Sequence, residues 1–161
     1  METHERSPKV VSENRVPTST LLAGFPEEKG LRPGVLALVA LRLAQIQECP
    51  IGIESHTIAL RKNGEREERL RELESWSSSV LFNRHERFAL ALAENLTSNP
   101  EGEVTKSLLG DGPRYFSQDE IIRLVLVIQA MDDWNVTKLE AIRARKKPKV
   151  DSIAHNVTTS S

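Results

Sequence analysis

The chain has a single cysteine, Cys49, and with it one evident centre for nucleophilic chemistry. Pro50 follows it, and proline suits the first helical position, where a missing N–H costs nothing, so a helix is expected to open at the cysteine. The unpaired N–H groups and positive dipole end at a helix mouth favour a thiolate, the nucleophilic form. A free cysteine is equally at home in a core, where it is inert. His56 comes seven residues later, on the same helical face and about 10 Å away along the axis, aligned with Cys49 but out of contact. Between them stands Gly52. Helical side chains lean toward the N-terminus, so His56 is expected to point over an empty space above Gly52 that Cys49 borders from the helix mouth. This space is the expected ligand pocket, and the helix-mouth N–H groups suit a carboxylate or other anion.

One cysteine also sets a limit. Without a second thiol in the chain, oxidised Cys49 is a sulfenic acid, a mixed disulfide with an external thiol, or a link to another subunit. A further acid is available at Asp132, on one helical stripe with Val125, Ile128 and Asn135, where a buried carboxylate requires a partner or a raised pKa. Arg42, on the first helix, is one candidate partner. Glu48 and Glu54 flank the cysteine motif as solvated charges. Neither a metal nor a cofactor is expected.

Five helices position these residues. The first begins at Arg32 or Pro33 and carries Leu36, Val39, Leu43 and Ile46 at core spacing. The second runs from Cys49 to a stop at Gly64. The third, Glu65 to Trp76, has a thin stripe of Leu70 and Leu73 with Glu65/Arg69 and Glu67/Arg71 pairs, and belongs on the surface. A capping box, Asn83 with Glu86, opens the fourth, which presents Phe88, Leu92 and Leu96. The run from Ile121 to Ile128 is as β-branched as a buried strand, yet Ser117 and Glu120 form a second capping box and apolar residues continue to Ile142. A long, almost wholly buried helix is therefore expected there.

The chain has 161 residues, which suits one domain, and its 22 basic and 23 acidic side chains give no field to hold nucleic acid. No apolar run is long enough to span a bilayer and the first residues are polar, so no membrane role and a cytoplasmic location are expected. Residues 1–30 read as an arm with an apolar patch at Leu21, Leu22 and Phe25, residues 31–145 as the domain, and residues 146–161 as a polar tail.

The stretch LALVALRLAQIQECPIGIESHTIALRKNGEREERLRELESWSSSVLFNRHERFALALAENLT, followed by FSQDEIIRLVLVIQAMDDWN, resembles the alkylhydroperoxidase D-like and carboxymuconolactone decarboxylase family. The likeness runs from about Leu31 to Arg143 and implies an all-α, single-domain fold that assembles as a homo-trimer or homo-hexamer. Redox members of that family carry Cys-x-x-Cys-x-x-x-His with a glutamate twelve residues before the first cysteine, and here Cys49 and His56 match while Gly52 and Ala37 replace the second cysteine and the glutamate. The family's Asn-Ala-Trp-Asn stretch reads Asp132-Asp133-Trp134-Asn135, which makes Asp132 and Trp134 the expected opposite wall of the pocket.

Three activities follow from the resemblance. Cys49 attacks a hydroperoxide, with His56 assisting proton transfer and an external thiol as reductant. Alternatively, His56 and Asp132 serve as acid and base of a lyase acting on a small organic acid or lactone. In the third, the chain is a binding or scaffold member that has lost its chemistry.

Overall fold

The computed structural model describes residues 31–99, 104 and 106–146. The expected N-terminal arm and almost all of the C-terminal tail lie outside these residues. Among the described residues there are six α-helices and no strand: α1 Pro33–Ile46, α2 Pro50–Lys62, α3 Glu67–Glu72, α4 Arg84–Ser98, α5 Lys106–Asp111 and α6 Gln118–Lys146. A 3-10 turn, Leu73–Ser78, extends α3, and another, Gly112–Arg114, leads toward α6. No described helix is long and apolar enough to cross a membrane.

The central element is α1. Every residue from Val35 to Leu41 is buried, and so are Leu43 and Ala44. The helix is apolar nearly all round, the pattern of an element enclosed by others. It packs against α2, α4 and α6, which place Leu60, Phe88, Leu92, Leu124 and Ile128 around it.

The sequence reading gave that buried position to α6, and the structure corrects it. Only Glu120, Leu124, Val127, Ile128, Met131 and Asn135 of α6 are buried, while Ile122 and Leu126 are 51% and 58% exposed. One helix face suffices to close the core over α1. Ile121 and Val125 pack against the edge of that core, while Ile122 and Leu126 stay exposed among the described residues.

The helix ends explain how the chain is steered. Both capping boxes form: Asn83 Oδ1 accepts from Glu86 N at 3.0 Å, and Ser117 Oγ accepts from Glu120 N at 3.2 Å. In each box the glutamate accepts in return from the N–H of its capping residue, at 2.9 and 2.8 Å. Glu86 also receives the Arg69 guanidinium at 2.7 Å, and Arg69 is held by Glu65 at 2.8 Å as expected from their spacing. The expected Glu67/Arg71 pair gives way to Glu67/Arg61, because α3 starts beside the end of α2. The third segment is also less superficial than its charge suggests, since Leu70, Leu73 and Trp76 are all buried.

Candidate functional site

Cys49 links two helices. At the end of α1 the Glu48 N–H donates to Gln45 O at 3.1 Å and the Cys49 N–H to Ala44 O at 2.9 Å, the two bonds of a Schellman turn. Cys49 is at the same time the N-cap of α2, and its carbonyl accepts from Ile53 N at 2.9 Å. This double duty fixes the backbone on both sides of the thiol. The turn requires a left-handed residue at position 48, and Glu48 adopts it with φ 51°. The equivalent turn at the end of α2 uses Gly64, φ 82°, where no side chain is strained.

The space expected above Gly52 is closed. A Cβ built on Gly52 would stand 2.8 Å from Asn135 Oδ1, 2.9 Å from Ala44 Cβ and 3.4 Å from Cys49 Sγ. Glycine is required here because α2 lies against α1 at Ala44 and because the α6 carboxamide reaches across the same point. Cys49 itself is 0% exposed. Asn135 is also 0% exposed, and among the described residues neither its Oδ1 nor its Nδ2 has a hydrogen-bond partner. A buried polar group is ordinarily hydrogen-bonded, so this amide has unused capacity for a donor or acceptor brought to it. In the sequence Asn135 stands on the Asp132 stripe and closes the Asp132-Asp133-Trp134-Asn135 stretch, and neither pattern places it at Cys49. The overlooked signal was Gly52 itself, since a glycine inside a helix marks a close approach.

The remaining expected site residues separate into two groups. His56 is buried and its ring faces Trp134, with centroids 6.0 Å apart. Burial holds the His56 pKa below its ordinary value, so the imidazole is neutral at neutral pH. Lys138 Nζ lies 5.4 Å from the Trp134 ring centre, on the same side of α6.

Asp132 belongs elsewhere. Residues two apart on a helix point in different directions, so Asp132 and Trp134 do not form one wall. The Asp132 carboxylate accepts a hydrogen bond from Gln47 Nε2 at the end of α1. It also lines a cleft of about 320 Å³ with Leu96, Thr97 and Asn99 from the end of α4. Partial burial, reinforced by neighbouring Asp133, raises its pKa. The candidate partner Arg42 instead binds Glu94 at 2.8 Å, and the same Glu94 oxygen accepts from Trp76 Nε1 at 2.8 Å. Arg42 turns that way because Glu94 and Trp76 present their polar atoms on the α4 side of α1.

The structure thus unites Cys49, Gly52 and Asn135, sets His56 with Trp134, and leaves Asp132 with Gln47. Among the described residues no cluster of three potential ligands for a metal is present.

Comparison with known proteins agrees with this architecture. The family model described as carboxymuconolactone decarboxylase family matches residues 17–95, beginning inside the stretch read as an arm. The uncharacterized protein YdfG of Bacillus subtilis is 31% identical over 111 residues, covering 69% of this chain and 76% of YdfG. A crystal structure from Agrobacterium tumefaciens, of a protein of unknown function provisionally assigned as the antioxidant defence protein AhpD, has the same fold. It superposes with a TM-score of 0.65 at 24% identity, over 75% of this chain and 81% of that one. With its all-helical core and its cysteine at the mouth of α2, the chain belongs to the carboxymuconolactone decarboxylase family.

Proposed function

We propose that this protein is a thiol peroxidase-type oxidoreductase working with one cysteine. The observation that carries the reading is the placement of Cys49 at the N-terminus of α2, with its sulfur and the buried amide of Asn135 both turned toward the point where a Cβ on Gly52 would stand, 3.4 and 2.8 Å from it. The provisional antioxidant assignment of the Agrobacterium protein points the same way. In the proposed reaction the Cys49 thiolate attacks one peroxide oxygen, an S–O bond forms and the O–O bond breaks. Sulfur is oxidised by two electrons to the sulfenic acid, and the peroxide leaves as an alcohol or water after taking up a proton. His56, neutral through burial, accepts the thiol proton by way of a water or the substrate. An external monothiol then attacks the sulfenic sulfur and expels water, and a second monothiol releases Cys49 from the mixed disulfide.

Cys49 has no exposed surface, so access requires a local opening near the α1–α2 turn and favours small hydroperoxides over bulky ones. A lyase using His56 and Asp132 together has less support, because the two side chains contact different neighbours. The test is consumption of hydrogen peroxide coupled to oxidation of a monothiol. Wild-type protein is expected to turn over, more slowly with cumene hydroperoxide, and Cys49→Ser to be inactive. Equal rates for wild type and Cys49→Ser would overturn the reading.

A further inference from the structure

Asn135 is wholly buried and among the described residues has both a free donor and a free acceptor, and its Oδ1 and the Cys49 sulfur lie 2.8 and 3.4 Å from the point where a Cβ on Gly52 would stand. Reduced Cys49 offers this amide only a weak S–H donor. A sulfenic acid offers more: its oxygen accepts from Nδ2–H and its O–H donates to Oδ1, so either orientation of the carboxamide finds a match. The amide's unused capacity therefore corresponds to a group with one donor and acceptor oxygen attached to the Cys49 sulfur.

We propose that Asn135 is the binding group for singly oxidised Cys49, and that Gly52 is the residue whose missing side chain lets the amide reach it. This inference rests on the one-cysteine reading given above. The step is the transfer of one oxygen from a hydroperoxide to Cys49, in which the S–O bond forms, the O–O bond breaks, sulfur loses two electrons, and the thiol proton goes to the departing alcohol or water. Once formed, the S–OH group is tied to the amide and meets no second thiol in this chain. Both conditions slow its condensation and its further oxidation. Asn135 acts as a positioning residue, and the sulfenic acid becomes the resting oxidised state that awaits an external thiol.

The experiment treats the full-length chain with hydrogen peroxide without reductant, then follows Cys49 by intact mass and dimedone trapping. Wild type is expected to gain one oxygen and stop. In Asn135→Ala and in Asn135→Leu, which refills the volume without an amide, the sulfenic acid should survive about tenfold less long before a second oxygen is added. If both variants keep the wild-type lifetime, the inference is wrong while the one-cysteine reading stands. If wild-type Cys49 takes up no oxygen, that reading fails and the inference with it. Should the variants not fold, the wild-type protein still decides the matter. The side-chain amide resonances of Asn135 should shift when Cys49 is oxidised, and unchanged resonances at full oxidation would overturn the inference.

Discussion

Asn135 Oδ1 lies 2.8 Å from the point where a Cβ on Gly52 would stand, so the α6 carboxamide takes up the volume that a side chain on α2 would fill. Residue 52 is the position of the second cysteine in the redox motif this chain resembles. Returning a cysteine there is a packing problem before it is a chemical one. The Asn135 oxygen sits at the end of a side chain and can rotate away, but Ala44 Cβ, 2.9 Å from the same point, is fixed to α1.

Substitution of Gly52 is therefore expected to destabilise the fold. Replacing glycine inside a helix gains about 1 kcal/mol, while overpacking costs about 1–3 kcal/mol, and the rigid contact with Ala44 makes the second effect the larger. Gly52→Cys should lower the unfolding free energy in urea titrations, and Gly52→Leu should do so more severely. Adding Asn135→Ala to Gly52→Cys should recover part of the loss. Strict additivity of the two changes would show that the residues do not compete for this space.

The two Schellman turns make a matched pair of predictions. Gly64→Ala places a side chain at φ 82° and should cost about 1 kcal/mol. Glu48 already bears that strain at φ 51°, so Glu48→Gly should leave stability unchanged or raise it by up to about 1 kcal/mol. Thermal melts of both variants check the opposite signs.

Two groups should shape the pH dependence of stability in opposite directions. The folded-state pKa of His56 is depressed, so between that value and the ordinary one near 6.5 the unfolded chain binds more protons, and stability falls as the pH drops through this window. His56→Phe should flatten this limb if the variant folds. The folded-state pKa of Asp132 is raised, so its contribution is fully present below the ordinary carboxylate range and is lost as the pH rises through the folded value. Asp132→Asn, which keeps an acceptor for Gln47, should stabilise the protein at neutral pH and have no effect at pH near 3. Denaturation midpoints against pH for the three proteins test both signs.

Ile122 and Leu126 lie one helical turn apart on α6 and are half exposed, an apolar stripe suited to a second copy of the chain. The homo-oligomer implied by the family resemblance is expected to use it. Light scattering at micromolar concentration should give a multiple of the 18.1 kDa chain mass, and Leu126→Glu should reduce it without altering the far-ultraviolet circular dichroism. A wild-type monomer would refute this assembly.

The sequence by itself determined the local structure. Pro33 and Pro50 at helix starts, the boxes Asn83/Glu86 and Ser117/Glu120, and the Gly64 stop all act within a few residues, and each appears where its chemistry requires. The placement of Cys49 at a helix mouth was legible for the same reason. Two short elements, α5 and the 3-10 turn after it, went unread because they contain hardly more than one turn of periodic sequence.

What lay between helices was decided only by the tertiary structure. Spacing along α6 assigns Asp132 and Asn135 to one stripe, but it does not reveal which meets α2 and which meets the end of α1. Packing gives Asn135 to Gly52 and Cys49, Asp132 to Gln47, and Arg42 to Glu94. The same applies to burial: α1 and α6 are both rich in apolar residues, yet α1 alone is enclosed by α2, α4 and α6. A glycine in a helix announces that something approaches closely. Only the folded chain shows that the neighbour is an unbonded amide, because that contact joins residues that are distant in sequence and close only after three helices have packed.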